Sequence, residues 1–220
     1  MTPFRLRGPL LAMLLMFLPT PALAESNTPL LDRLLTAYEG VSSLSAGFTQ
    51  ETGFAGFSTR KRYGGTVDLV RPDRMRWDYS DGSNQQIYVV AQEVTLYAPD
   101  SKQAIVSTLS PTSDRQIPLH LLADVTGIAD TYDVKVEAAG VLTLTPKTPH
   151  PQAPERIELG VHPESGLISR VTLHLHGGNT SNITFHEVRT NLDIADARFL
   201  FNPPDGVYVI HQNSFPKGKR

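Results

Sequence analysis

The sequence of 220 residues contains no cysteine. Disulfide bonds, cysteine nucleophiles and cysteine-ligated metal sites are therefore excluded, and the fold must be held together by its apolar core. A bacterial lipoprotein holds its acyl groups on an N-terminal cysteine, so we do not expect this chain to be lipid-anchored itself.

Long apolar runs are also lacking. The stretch from Pro9 to Pro19 is about half as long as the roughly 20 residues that cross a bilayer. Arg5 and Arg7 precede it and Ala22-Leu-Ala24 follows it, the pattern of a secretory signal peptide with an A-x-A cleavage site. We expect export from the cytoplasm, cleavage after Ala24, and a single domain over residues 25–220.

Positive charge is not in excess. The formal net charge is −2, and it becomes −4 when residues 1–24, with two arginines and no acid, are removed. A mildly acidic chain argues against a nucleic-acid partner and against a broad electrostatic grip on anionic lipid.

Catalytic motifs are missing as well. The chain has neither a G-x-S-x-G nucleophile elbow nor a Gly-rich phosphate loop. Asp130 and Asp133 lie close in sequence, but their turn-like surroundings predict solvated carboxylates. We therefore expect no enzyme activity and no cofactor.

Three histidines offer an alternative of a different class. His174 and His176 share one face of a predicted strand, and a three-residue turn at 178–180 would bring His186 beside them. Three imidazoles can bind zinc or copper, as an exported hydrolase or metal protein would require. The leucines that flank His174 take the inward face, so we expect the histidines to face solvent and to bind no metal.

Apolar periodicity predicts a mainly β protein with few helices. Leucines at helical spacing predict one helix between an N-cap at Thr28 and a stop at Gly40, and a shorter helix is predicted over Pro118–Asp124. Between and after these segments, short alternating runs separated by turns predict a strongly curved antiparallel sheet with the helices over its apolar side. Such a shape is either filled with side chains or keeps a cavity for an apolar ligand.

The stretch Thr52–Arg60 is predicted to form the tip of a hairpin. It contains Phe54 and Phe57 among glycines. Two phenylalanines are unusual in a tip that is fully solvated.

Arg71 is the most informative polar residue. Arg71 lies four residues after Val67 and two after Leu69, so in a continuous strand its side chain points inward with theirs unless Pro72 bends the chain first. An inward guanidinium could bind the backbone carbonyls of a covering segment, whereas an arginine at the rim would extend to water. Trp77 is predicted to be either core or part of a ligand wall.

Several segments, in order along nearly the whole chain, resemble the LolA family of periplasmic lipoprotein carriers. They are Val41–Leu44 with Phe48–Gln50, Leu69–Trp77, Leu144–Lys147, Gly178–Phe185 with Asn191, and Phe199–Val207. The lipid-anchored outer-membrane receptor LolB has a related fold, but the absence of cysteine argues against it.

This resemblance implies an unclosed antiparallel β-barrel with a helical lid over an apolar cavity. Arg71 would hydrogen-bond to lid carbonyls and keep the empty carrier closed. The acyl chains of lipoproteins would be bound by inward side chains, namely Phe48, Val67, Leu69, Met75, Trp77 and Leu96. The implied partners are acylated lipoproteins, an inner-membrane releasing transporter and an outer-membrane receptor, with the carrier a monomer.

Two positions depart from the family pattern. Ala91-Gln92 stands where Asp-Gly is frequent, and Met75 stands where an aromatic residue is common. These departures leave the lipid open, and a carrier of the same fold for another amphiphile, such as a glycolipid, is the alternative.

Overall fold

The structure is a computed structural model that describes residues 29–108, 121–122, 125–138, 140–151 and 153–212. The predicted signal peptide, the N-cap at Thr28 and most of the predicted helix Pro118–Asp124 lie outside the described residues. Within that helix, residues 121–122 are described and are helical.

The described residues contain twelve strands, and all of them belong to one sheet. The strands are β1 (Ser43–Gly53), β2 (Arg60–Val70), β3 (Arg74–Asp81), β4 (Gln86–Val90), β5 (Glu93–Ala98), β6 (Gln103–Thr108), β7 (Tyr132–Ala138), β8 (Val141–Pro146), β9 (Arg156–Val161), β10 (Ile168–His174), β11 (Thr180–Thr190) and β12 (Tyr208–His211).

The order across the sheet is β12-β6-β5-β4-β3-β2-β1-β11-β10-β9-β8-β7. Because β12 and β7 stand at opposite edges and do not pair with each other, the sheet is not closed. Every pair of these strands is antiparallel except β12 with β6, which is parallel. The predicted mainly β, unclosed antiparallel fold is confirmed, with this last strand as the exception.

Helix α1 (Pro29–Glu39) covers one face of the sheet, here called the inner face. Its apolar side buries Leu31, Leu34 and Tyr38 in one core with the inward side chains of the strands. A second helix, α2 (Ile128–Thr131), and the helical residues 121–122 add to the same core.

The segments that form β4 and β6 lack the alternation of apolar and polar residues that predicts strands. The burial of β4 explains why. Ile87, Tyr88 and Val89 are all buried, because the outer face of the sheet is covered here too. Tyr88 packs on that face with Tyr97, Ala104, Phe201, Val207 and Val209, while its neighbours belong to the inner core. A strand that is covered on both faces loses its period of two.

The cover of the outer face is residues 195–202, here called the outer segment. Its 3-10 turn, Asp196–Phe199, buries the Phe199 ring completely and exposes Leu200. The Arg198 guanidinium lies 2.7 Å from an Asp68 carboxylate oxygen and 2.6 Å from one of Asp78.

Arg74, Arg76 and Asp78 alternate along β3 on the polar side of the strand, a sequence pattern that predicts a solvated ion-pair face. Arg76 does pair with Asp78, but it also donates to the Arg198 carbonyl oxygen at 3.0 Å, and Arg74 pairs with Asp196. The charged face is therefore largely covered rather than fully solvated.

Candidate ligand-binding cavity and its helical cover

An apolar cavity lies between α1 and the sheet. Its lining residues come from α1, β1, β2, β3, β10, β11 and the helical residue 122, and they are Tyr38, Leu44, Val67, Leu69, Met75, Leu122, Ile168, Phe185 and Val188. The space open to the centre of a water-sized sphere is only about 20 Å³.

The small volume leaves the cavity closed to chain-like ligands in this structure. Room for about one water-sized molecule is far too little for an acyl chain, and an apolar space of this kind stays dry. The surrounding core is densely packed, so a chain-like ligand can enter only if a covering element moves away from the sheet. Helix α1 and the helical residues 121–122 form that cover.

The six residues expected to bind acyl chains fall into three positions. Val67, Leu69 and Met75 line the cavity directly. Phe48 and Trp77 are fully buried just behind it, with ring centroids 4.7 Å apart. Leu96 lies on the inner face but is half-buried farther along the sheet and does not line the cavity.

Several lining residues were not identified from the sequence. Ile168 and Val188 lie at irregularities, where the β9–β10 register shifts and where Glu187 adopts a positive φ of 53°. Each irregularity changes which side chains face inward, so a strict period of two cannot locate them. Phe185 could have been found, because it has the inward parity of Ile183.

Arg71 joins the sheet to α1. It directly follows β2, its side chain is half-buried, and its Nη1 donates to the carbonyl oxygen of Tyr38 at 2.7 Å. The same oxygen accepts from the Val41 backbone N–H at 3.2 Å. This carbonyl is in the last turn of α1, where the helix dipole also favours a cation.

Tyr38 connects this contact to the cavity. Burial raises the pKa of Tyr38 to about 12, while a hydrogen bond with the Ile168 backbone and the charge of Arg71 act in the opposite direction. The phenol is therefore neutral at physiological pH. Since its ring lines the cavity and its carbonyl binds Arg71, α1 cannot lift without breaking this hydrogen bond.

The inner face becomes polar toward the β1–β2 hairpin. Gln50 donates through Nε2 to the Ser181 hydroxyl at 2.9 Å and accepts from the Tyr79 hydroxyl at 2.6 Å. Burial raises the pKa of Tyr79 well above its ordinary value. The network makes the inner face polar where β1, β3 and β11 approach the hairpin.

The three histidines do not come together. His174 contacts Glu158 at 2.9 Å and His176 contacts Glu155 at 2.6 Å, whereas the His186 ring fills the space beside Gly47 on β1. Across the described residues, no group of three or more His, Asp or Glu side chains is placed to hold a metal ion. Within the same residues, no helix has the length and apolar character to cross a bilayer.

Comparison with known proteins gives consistent matches. The family model for the outer membrane lipoprotein carrier protein LolA matches residues 39–202. The outer-membrane lipoprotein carrier protein of Pseudomonas syringae pv. syringae (strain B728a) is 32% identical over 212 residues, which are 94% of this chain and 100% of the relative. That of Pseudomonas putida (strain GB-1) is 29% identical and covers 82% of this chain and 87% of its own.

A solved structure shows the same fold. An uncharacterized conserved protein from Thermus thermophilus superposes with a TM-score of 0.52 at 14% identity, covering 84% of this chain and 98% of its own.

Proposed function

The chain belongs to the LolA family of outer membrane lipoprotein carrier proteins, and from this membership we propose that it is a periplasmic carrier of lipoproteins. It binds the acyl chains of lipoproteins released from the inner membrane and delivers them to an outer-membrane receptor. The observation that best supports this proposal is the apolar inner face closed by α1, with Arg71 hydrogen-bonded to the cover.

Burial energies explain why such a carrier must exist in two states. Burying one CH₂ group contributes about 0.8 kcal/mol, so acyl chains with tens of such groups cannot cross water unprotected. A preformed site that buried all of them would bind near the limit of non-covalent affinity, about −20 kcal/mol, and would not release them. A closed state that competes with the loaded state keeps binding reversible.

Arg71 is the proposed latch of that closed state. Its hydrogen bond to Tyr38 exists only while α1 lies on the sheet, so it stabilises the empty carrier and not the loaded one. By the same proposal, Phe48, Val67, Leu69, Met75 and Trp77 become the wall of the acyl site when α1 moves.

The remaining partners follow from the same role. A transporter in the inner membrane supplies the lipoprotein, and a receptor in the outer membrane accepts it. Residues 1–24 direct export of the chain to the space between these membranes and are then removed, and the carrier acts as a monomer without cofactor.

An apolar fluorescent probe tests the proposal. We expect the purified protein to bind the probe, and a triacylated lipoprotein to displace it while the same protein without acyl chains does not. Failure of the probe to bind, or displacement that does not depend on acylation, would refute the carrier role. Mass spectrometry of lipids extracted from the periplasmic protein would separate lipoprotein cargo from another amphiphile.

Two matched valines localise the site. Val188 lines the cavity and Val209 packs on the outer face, and both are half-buried on strands. We expect Val188→Phe to fill the cavity and weaken probe binding, and Val209→Phe to leave probe binding unchanged. Equal effects would show that the probe binds elsewhere.

A further inference from the structure

The tip of the β1–β2 hairpin exposes two aromatic rings. Phe54 is 41% exposed and Phe57 is 74% exposed, although phenylalanine is usually buried. The Phe57 backbone N–H donates to the Phe54 carbonyl at 3.1 Å, and Gly56 has a φ of +80°, which closes a tight turn. Both rings therefore stand at the ends of one turn and point away from the core.

Basic side chains lie directly beside these rings. Arg60, Lys61 and Arg62 are consecutive and exposed at the start of β2, and the Lys61 ammonium lies 5.9 Å from the centroid of the Phe54 ring. Arg62 pairs with Glu51 at 2.6 Å.

The charge of this tip is positive on balance. Glu51 also interacts with Arg60, and Asp81 is the other carboxylate that acts on Arg62. Three cations thus face two carboxylates, in a chain that is otherwise mildly acidic.

Neighbouring turns hold the tip in place. The Ala55 backbone N–H donates to the Asn179 side-chain oxygen at 2.9 Å, and Ala55 also lies beside Gly178 in the β10–β11 connection. The rings are therefore presented on a supported, exposed turn, and docking would require little loss of conformational freedom.

We propose that this tip docks on the surface of an anionic phospholipid bilayer. Phe54 and Phe57 enter the headgroup region while Arg60 and Lys61 contact lipid phosphates, since apolar rings beside cations match an interface of that chemistry. The tip and Arg71 lie at opposite ends of β2, roughly 30 Å apart at strand spacing. A docked hairpin therefore leaves the lid free to move, and the proposal does not depend on the cargo.

Vesicle co-sedimentation of the full mature chain tests this. We expect binding to vesicles of phosphatidylglycerol and phosphatidylethanolamine, weaker at high salt, and little binding to phosphatidylcholine. Replacing Phe54 and Phe57 by Ser should weaken binding by about tenfold for each ring, and replacing Arg60 and Lys61 by Ser by about fivefold for each charge.

Matched controls separate the tip from general surface effects and from the cavity. Leu200→Ser and Tyr208→Ser remove exposed apolar side chains elsewhere, and Lys135→Ser removes an exposed cation. All three should bind anionic vesicles like the wild type. Val188→Phe should also bind normally, so a failure of the proposed acyl site would not be mistaken for a failure of this one.

Phe57→Trp reports the depth of the tip directly. The native Trp77 is fully buried, so a change in quenching by brominated lipid would come from position 57. We expect blue-shifted emission and quenching on anionic vesicles. The proposal would be overturned if the wild type did not bind anionic vesicles, if the Ser variants bound normally, or if Trp at position 57 stayed in water. An acidic protein surface would then remain as the partner of this tip.

Discussion

Helix α1 covers the inner face of the sheet and the outer segment covers the outer face, and an arginine takes part in holding each of them. On the inner face, α1 is held by apolar contacts and by the hydrogen bond from Arg71 to a backbone carbonyl. On the outer face, Arg198 of the outer segment makes two ion pairs with strand carboxylates and receives a hydrogen bond from Arg76.

The two covers differ in how they are attached to the sheet. The chain beyond the outer segment continues into β12, which hydrogen-bonds to β6 along its length, so this segment is anchored from both sides. Helix α1 is held by side-chain packing instead of strand pairing, and it lies over the apolar cavity. Motion is therefore expected on the inner face, where a ligand must enter.

The largest expected effect is on the outer face. Phe199 is fully buried there, so Phe199→Ala should lower the free energy of unfolding by about 3–5 kcal/mol. The adjacent Leu200 is 55% exposed, and Leu200→Ala should change it by less than about 0.5 kcal/mol. Urea denaturation measures both, and similar values for the two variants would show that the outer segment does not support the fold.

High pH should act on the inner face through Tyr38. Its pKa is raised from 10.0 to about 12 in the folded chain, so the unfolded chain loses this proton first as the pH rises. The stability that comes from the neutral phenol is complete below pH 10 and is lost toward pH 12, by up to about 3 kcal/mol. Urea denaturation between pH 9 and pH 12 should show a loss of unfolding free energy that is smaller by this amount in Tyr38→Phe than in the wild type. If the unfolding free energies of the two proteins had the same pH dependence, the phenol would not be buried in solution.

The two arginines should differ in their effect on global stability. Arg198→Ala leaves Asp68 without its arginine partner and Asp78 with Arg76 alone, and it should lower the free energy of unfolding by about 2 kcal/mol. Arg71→Ala should lower it by less, because a folded state with α1 open takes over from the closed one. Amide hydrogen exchange should increase in α1 only for the Arg71 variant. Faster exchange throughout the sheet in that variant would contradict the distinction.

Much of the inner face could be predicted from the sequence. The sequences of β2 and β3 alternate between polar and apolar residues, and the position of Arg71 two residues after Leu69 pointed to the residue that contacts α1. The prediction of a solvated charged face on β3 was only partly right. No local sequence pattern indicates that residues 195–202 cover this strand.

Positions that depend on distant contacts could not be predicted. Strand β4 lacks alternation because the outer segment covers it, and Val188 lines the cavity because a bulge at Glu187 changes the register of β11. Leu96 has the inward parity, but parity does not say how far along the sheet α1 extends. The size of the cavity is a property of the packed, closed state and has no signal in a single sequence.

The central claim is that Arg71 latches a movable α1, and cargo handling tests it most directly. Loading of a lipoprotein from inner-membrane spheroplasts and its transfer to outer-membrane receptor should be measured separately for the wild type, Arg71→Leu and Arg71→Lys. Arg198→Leu serves as the matched control on the outer face, and circular dichroism establishes that each variant is folded.

A charged hydrogen bond contributes roughly 1.5–3 kcal/mol, and 1.4 kcal/mol corresponds to a factor of ten. We therefore expect Arg71→Leu to load cargo normally and to transfer it about ten- to a hundredfold less efficiently, with partial recovery in Arg71→Lys because lysine lacks the planar fork. Arg198→Leu should transfer normally. A folded Arg71→Leu protein that transfers lipoprotein as fast as the wild type would contradict the latch.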